Sequence, residues 1–112
     1  MGLFSVNKKK KERQVEEKVI PTSEKIVFEK LSSDQDTYLT HLADQLLEGH
    51  PLILNFEPLD IDQANKTIAF FSGIVYAISG EIVKVQEKVF MFADKHVYDD
   101  GSMEEFLKEI VE

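Results

Sequence analysis

The stretch Asp60-Ile61-Asp62-Gln63-Ala64-Asn65-Lys66-Thr67-Ile68-Ala69-Phe70-Phe71-Ser72-Gly73-Ile74-Val75-Tyr76-Ala77-Ile78-Ser79-Gly80 decides the reading of this chain. It opens as a capping box, with Asp60 as N-cap and Gln63 three residues on. Ile61, Ala64, Ile68, Phe71, Val75 and Ile78 then fall on one side of a helix, and Phe70, Ile74 and Ala77 widen the stripe. At about 100° per residue the apolar arc spans roughly 160°, more than one sheet contact needs. The opposite side carries Ala69, Gly73 and Tyr76. A glycine inside a helix costs ~1 kcal/mol relative to alanine. Two explanations stand for Gly73: it packs under a loop of its own domain or marks a bend, or the helix meets a copy of itself there.

Beyond Gly80, Glu81 to Gln86 and Lys88 to Ala93 read as a β-hairpin turning near Gln86-Glu87-Lys88. The turn lacks Asn-Gly or Asp-Gly, so register comes from the side-chain pattern. With Val85 opposite Val89, one face holds Val83, Val85, Val89, Met91 and Ala93, an apolar surface expected under the helices. The other face then holds Ile82, Lys84, Phe90 and Phe92. That is more apolar surface than a small monomer leaves in water. Either a C-terminal segment folds over it, or it binds protein, with Lys84 selecting charge.

Working outward, Ile26-Val27-Phe28-Glu29-Lys30-Leu31 is β-branched and aromatic and is expected as the first strand. Ser32-Ser33-Asp34 is expected to open a helix whose Leu39, Leu42, Ala43, Leu46 and Leu47 form a buried stripe, stopped by Gly49, His50 and Pro51. Leu52-Ile53-Leu54-Asn55-Phe56 suits a central strand. At the other end Lys95 to Tyr98 can supply another strand. Asp99-Asp100-Gly101 is a turn, and Ser102-Met103-Glu104-Glu105 reads as a capping box before Phe106, Leu107, Ile110 and Val111. The order β-α-β-α-β-β-β-α predicts an α+β fold. It would be a two-layer α/β sandwich: a mixed sheet of about five strands, two main helices on one face, and a short C-terminal helix.

The chain has 112 residues, no cysteine and a net charge of −8. Disulfide frameworks and thiolate chemistry are excluded, and no apolar run approaches the ~18 residues of a membrane span. The charge is unevenly placed. Residues 1–25 hold seven basic residues against four acids, and residues 26–112 hold six against 17. A body this acidic repels phosphate backbones, so no nucleic-acid partner is expected. Residues 1–13 join apolar Leu3, Phe4 and Val6 to the basic run Lys8, Lys9, Lys10 and Lys11. They suit a short membrane-binding segment whose lysines meet anionic lipid at ~1 kcal/mol each, or else a solvated chain start. The order is the reverse of a secretory leader, and Val6 breaks the myristoylation pattern. Residues 14–25, with mixed charges around Pro21, read as a flexible linker, and 26–112 as the globular domain.

No pattern for catalysis emerges. His41, His50 and His96 lie in no ligand spacing, and the pairs Asp34/Asp36, Asp60/Asp62 and Asp99/Asp100 sit at helix starts, where carboxylates cap free N–H groups. Phosphate-binding and dinucleotide-binding glycine motifs are missing from the sequence. Ser72-Gly73 lies inside a helix without the strained elbow of a serine nucleophile. A binding or assembly module is expected, with no enzyme activity, no metal and no cofactor. The rival readings are a metal-dependent hydrolase on Asp60 and Asp62, and a purely structural oligomer whose seam is the Phe90 face.

Asp62-Gln63-Ala64, then Phe71-Ser72-Gly73-Ile74-Val75-Tyr76-Ala77-Ile78-Ser79-Gly80-Glu81-Ile82, then Val89-Phe90-Met91 closely resemble the SepF cell-division family. The resemblance covers about residues 26–100. It implies a bacterial cytoplasmic protein, peripheral on the inner face of the membrane at the division site. Such a protein binds the C-terminal tail of FtsZ, tethers it and self-assembles, as a homodimer and in higher assemblies, to organise the Z ring and septum. By motif position the resemblance places Ala64, Lys84 and Phe90 at the FtsZ tail. Gly73 lies in the helix region that it links to self-association, and Phe92 on the outer hairpin face is expected to share that role. The linker and the apolar N-terminal part are both shorter than in many members. Deleting residues 1–13 is expected to abolish co-sedimentation with anionic liposomes while leaving tail binding intact; equal sedimentation of both proteins would remove the anchor.

Overall fold

The computed structural model describes residues 20–111; the segment expected to bind membrane, with Leu3, Phe4, Val6 and Lys8 to Lys11, lies outside the described residues. Four strands, β1 (Val27–Lys30), β2 (Leu52–Asn55), β3 (Glu81–Gln86) and β4 (Val89–Ala93), form one sheet in the order β1-β2-β4-β3. Helices α1 (Asp36–Leu47) and α2 (Ile61–Ala77) follow β1 and β2, and α3 (Ser102–Ile110) closes the described chain. β1 and β2 are parallel, which requires the α1 crossover. β4 runs antiparallel to both β2 and β3, so the sheet is mixed as expected. The α+β class holds, with four strands rather than five. Lys95 to Tyr98 form turns instead of a strand, because Asp94 Oδ1 accepts the His96 N–H at 2.7 Å and Asp94 O the Val97 N–H at 3.2 Å.

The two sheet faces are assigned the other way round from the sequence expectation. Phe92 lies with Leu52 and Leu54 against Leu39, Leu42 and Leu46 of α1 and Phe71 and Val75 of α2, and Phe90 packs at the margin of that cluster. Val85, Met91, Ala93 and Ile53 form a second cluster with Met103, Phe106, Leu107 and Ile110 of α3. The main helices therefore cover the phenylalanine face, and the C-terminal helix covers the valine–methionine face. Alternation alone places Phe90 and Phe92 opposite Val89 and Met91, but does not say which side the larger helices take. Volume decides it: two long helices with an interior of leucine and phenylalanine accommodate the large rings, and one short helix suffices for the smaller side chains. Phe92 is 1% exposed. The surface role expected for it is therefore corrected: its ring is part of the core and is not available to a partner.

Other local expectations shift by a residue or two. The hairpin register pairs Gln86 with Val89 and Lys84 with Phe90, and Val85 is the bulged residue between them. α1 starts at Asp36 with Gln35 at its N-cap instead of at Ser32-Ser33-Asp34, where the Ser33 hydroxyl is used to accept the Gln35 N–H at 2.9 Å. α3 starts after Gly101, whose φ of 80° suits only a glycine well. Ser102 is then the first helical residue and not a cap. Asp100 does the capping, accepting the Ser102 N–H at 3.0 Å and its hydroxyl at 2.8 Å. Asp100 also accepts the Thr22 N–H at 2.8 Å, so a 3-10 turn at Thr22–Glu24, within the expected linker, docks beside α3. These hydrogen bonds, the one from Thr22 foremost, hold the Asp100 carboxyl well below its ordinary range. The capping box of α2 forms as expected, with Gln63 N–H donating to Asp60 Oδ1 at 2.8 Å and Asp60 N–H to Gln63 Oε1 at 3.1 Å.

Between α2 and β3 the chain reverses within three residues. Ser79 takes the left-handed conformation (φ 58°), and Gly80 donates its N–H to Val75 O at 2.8 Å. Gly80 lies so close to the backbone of Ala93 and Asp94 that a Cβ there would clash with the Ala93 carbonyl. Gly80→Ala is expected to destabilise the domain by about 1–3 kcal/mol, seen as a lower denaturant midpoint at unchanged slope; an unshifted midpoint would show that the end of the hairpin yields freely.

Candidate functional site: a cleft between the second helix and the hairpin

The turn that leaves β2 is pinned to the hairpin. Phe56 N–H donates to the Lys88 carbonyl at 2.8 Å, Leu59 N–H returns to Phe56 O at 3.0 Å, and Asn55 Oδ1 accepts the Glu57 N–H at 2.9 Å. The turn delivers the chain to Asp60, where the capping box starts α2. A cleft of about 190 Å³ remains between the first half of α2 and the hairpin turn. Its walls are Ile61, Ala64, Asn65 and Ile68 on one side and Lys88 and Phe90 on the other, with Phe56, Leu59 and Asp60 between. The Phe56 and Phe90 rings meet edge to face, 5.8 Å between centroids and 82° between planes. That contact fixes the Phe90 ring while leaving the side chain half-buried.

Ala64 and Phe90, far apart in sequence, thus face the same space. Lys84 stands across the strands from Phe90, and its ammonium lies 3.4 Å from Glu87 Oε1. The three positions assigned to tail contact are therefore brought to one region of the surface. The sequence reading did not pick out Phe56, Leu59 and Lys88. Leu59 and Lys88 sit in turns, where periodicity says nothing, and the only available signal for them was proximity to Asp60 and to Phe90 in the chain. The volume is below the ~300–1,000 Å³ of small-molecule sites; one or two apolar side chains fill it.

A second surface runs along the outer side of α2. Ala69, Phe70, Gly73, Tyr76 and Ala77 recur at helical spacing and are all exposed, Tyr76 at 88%. A Cβ on Gly73 would meet nothing within 4 Å, which removes the reading in which Gly73 packs under a loop of its own domain. Phe70 and Ala77, expected to widen the buried stripe, belong to this outer surface instead.

Elsewhere, a wider and shallower depression of about 550 Å³ lies beside α3, at Tyr98, Leu107 and Val111. Burial, and then a hydrogen bond to Glu81, push the Tyr98 hydroxyl up to about 12, so it stays protonated. Asp34 and Asp36 meet the Lys66 ammonium at 3.9 and 3.3 Å, one cation shared by two acids. Among the described residues no three histidine or acidic side chains are grouped to hold a metal, and no helix is long and apolar enough to cross a membrane.

Fold and cleft together define a small α+β domain with an apolar, lysine-edged groove and an open helix face. Sequence comparison places it. The family described as "Cell division protein SepF" matches residues 26–98, and the chain belongs to that family. Similar curated proteins carry the same name. One from Carboxydothermus hydrogenoformans is 33% identical over 81 residues, 72% of this chain and 57% of its own. One from Limosilactobacillus reuteri is 37% identical over 67 residues, 60% and 49%. One from Listeria monocytogenes serotype 4a is 38% identical over 68 residues, 61% and 45%. The chain spans about half the length of the curated relatives it matches.

The burial of Phe92 separates two roles that the sequence could not. Phe92→Ala is expected to cost about 3–5 kcal/mol as a core truncation. Gly73→Ala is expected to gain up to ~1 kcal/mol from helix propensity alone. Thermal unfolding of the two variants, at a dilution where each sediments as a monomer, checks this; a destabilised monomeric Gly73→Ala would mean that its outer face is occupied within the chain itself.

Proposed function

We propose that this cell-division protein binds the C-terminal tail of FtsZ in the α2–hairpin cleft, associates with itself along the outer face of α2, and holds the inner face of the cell membrane through residues 1–13. In this reading it catalyses nothing and needs no cofactor. Its work is to bring FtsZ filaments to the membrane at the division site and gather them into the Z ring that forms the septum. The supporting observation is that Ala64 and Phe90, on different elements, line one apolar cleft with Lys84 across the strand from Phe90. An extended peptide offering an apolar side chain beside an acid matches that surface: the side chain gains burial, and the lysine contributes selectivity more than affinity.

The outer stripe supports the second part. Phe70 and Tyr76 are large apolar groups left in water, and Gly73 between them lets another backbone approach. A copy of the chain with the same stripe is the natural cover, because a two-fold axis sets the same patch on both sides and repeats every contact reciprocally. Dimers carry two clefts and two N-terminal segments. A filament presents many tails, so single contacts too weak to last become durable through effective concentration.

Phe90→Ala removes one wall of the cleft and only part of a half-buried side chain. It is expected to weaken binding of an FtsZ tail peptide at least about tenfold, an aromatic-anchor loss of the usual size, with cooperative unfolding retained. Titration calorimetry with the full chain measures it; unchanged affinity in a folded variant would move the tail elsewhere.

A further inference from the structure

We propose that Lys88 is the residue that selects and registers the peptide in the α2–hairpin cleft. An apolar side chain of the peptide enters between Ala64, Ile68 and Phe90, and a carboxylate one or two positions away pairs with the Lys88 ammonium. The inference rests on the binding role proposed above for the cleft and assigns its charge reading to a residue other than Lys84.

Lys88 has φ of 64°, the left-handed region that a residue with a Cβ seldom adopts. The turn would be met with less strain by glycine or asparagine, yet a lysine stands there and lines the cleft. Its backbone is fixed, because the Lys88 carbonyl accepts the Phe56 N–H at 2.8 Å. The side chain thus starts from a fixed backbone point on the wall of the cleft that Phe90 also lines.

The charges around the cleft single out the same residue. Lys84 already faces Glu87 at 3.4 Å, and that pair presents little net field to a newcomer. Among the described residues Lys88 takes part in no salt bridge, and it is the only cation lining the cleft. Asp60, the acid at the mouth, spends Oδ1 on the Gln63 N–H. Around this the body is strongly acidic, six basic residues against 17 acids from residue 26 onward. An acidic peptide is repelled at a distance and attracted only in contact, which favours one register over its neighbours. An extended chain advances ~3.3 Å per residue, so a carboxylate within two positions of the apolar anchor stays within reach of a lysine side chain.

The test uses the full chain and two labelled peptides in fluorescence anisotropy: the FtsZ tail, and the same peptide with each Asp and Glu replaced by its amide. Lys88→Ala is expected to weaken the native peptide about tenfold, the size of a charge-assisted contact, and Lys84→Ala to weaken it by less. Lys88→Gly removes the same ammonium while relieving the backbone, so it must lose the same affinity in a protein at least as stable. The amide peptide should bind wild type and Lys88→Ala alike, showing that the lysine and the acid act as one pair. If wild type binds the native peptide and Lys88→Gly binds it equally well, or if amidation weakens both proteins by the same factor, the assignment to Lys88 is overturned and the cleft reading survives. A wild-type chain that binds neither peptide overturns the cleft reading and this inference together.

Discussion

Phe92 is wedged between two rings, 5.4 Å from Phe71 of α2 and 6.2 Å from Phe56 at the end of β2, centroid to centroid. Phe56 in turn meets Phe90. The series Phe71–Phe92–Phe56–Phe90 runs from the centre of the interior to the rim of the cleft. Phe71, Phe92 and Phe56 are 0%, 1% and 4% exposed, and only Phe90 reaches solvent. Full burial of a phenylalanine contributes about 1.5–3 kcal/mol, and close packing leaves such rings few alternative positions. The cleft is therefore an outcrop of the core: its one aromatic wall is held by the same contacts that hold α2 to the sheet. A surface built this way is preformed, and preformed surfaces lower the ordering cost of whatever they bind.

The hairpin supplies what the core does not. The bulge at Val85 lets its side chain enter the α3 cluster, while Lys84 and Phe90 remain paired on the opposite face. The extra residue is absorbed before the turn, and Lys88 completes the reversal in the left-handed region. Bulges re-aim side chains at sheet edges and binding sites, and here the consequence is geometric. Two lysines come to stand on either side of Phe90 at the tip of an edge hairpin, one level with the ring across the strands and one against the cleft itself. Lys84, exposed on the edge strand β3, also discourages uncontrolled strand pairing along the free edge.

Much of the fold was legible because periodicity and capping chemistry are local. Asp60 with Gln63 marked the start of α2 to the residue. The leucine spacing from Leu39 to Leu46 marked α1, and the unbroken apolar run of β2 marked a strand buried on both sides. What failed was global. Alternation along the hairpin separates two faces and is silent on which helices cover which, so Phe92 read as exposed when it is central. The strand ascribed to Lys95–Tyr98 and the cap ascribed to Ser102 failed for a different reason: Asp94 and Asp100 captured backbone N–H groups in turns, a competition that hydrophobic patterning does not register. In the cleft, Ala64 was reached through motif resemblance, and Phe90 through resemblance and through the apolar hairpin face on which it was placed. Phe56 and Lys88 were not, since their place in the cleft depends on contacts between segments about 30 residues apart, the Phe56 N–H to Lys88 O hydrogen bond and the Phe56 ring against Phe90 and Phe92.

The breadth of the apolar arc on α2 now has a physical account. At about 100° per residue, Thr67, Phe71 and Val75 face the interior, Ile61, Ala64, Asn65 and Ile68 face the cleft, and Ala69, Phe70, Gly73, Tyr76 and Ala77 face outward. A helix packed on a sheet needs only the first of these sectors. The other two adjoin it on one rigid rod of 17 residues, so whatever covers the outward sector is set at a fixed distance and angle from whatever enters the cleft. Were the two surfaces on separate loops, their relative placement would be free to vary. Carried on one helix, they keep a constant relative geometry. On the function proposed above, that constancy is what would let a partner with regularly repeated tails be held at several points without each contact having to be strong.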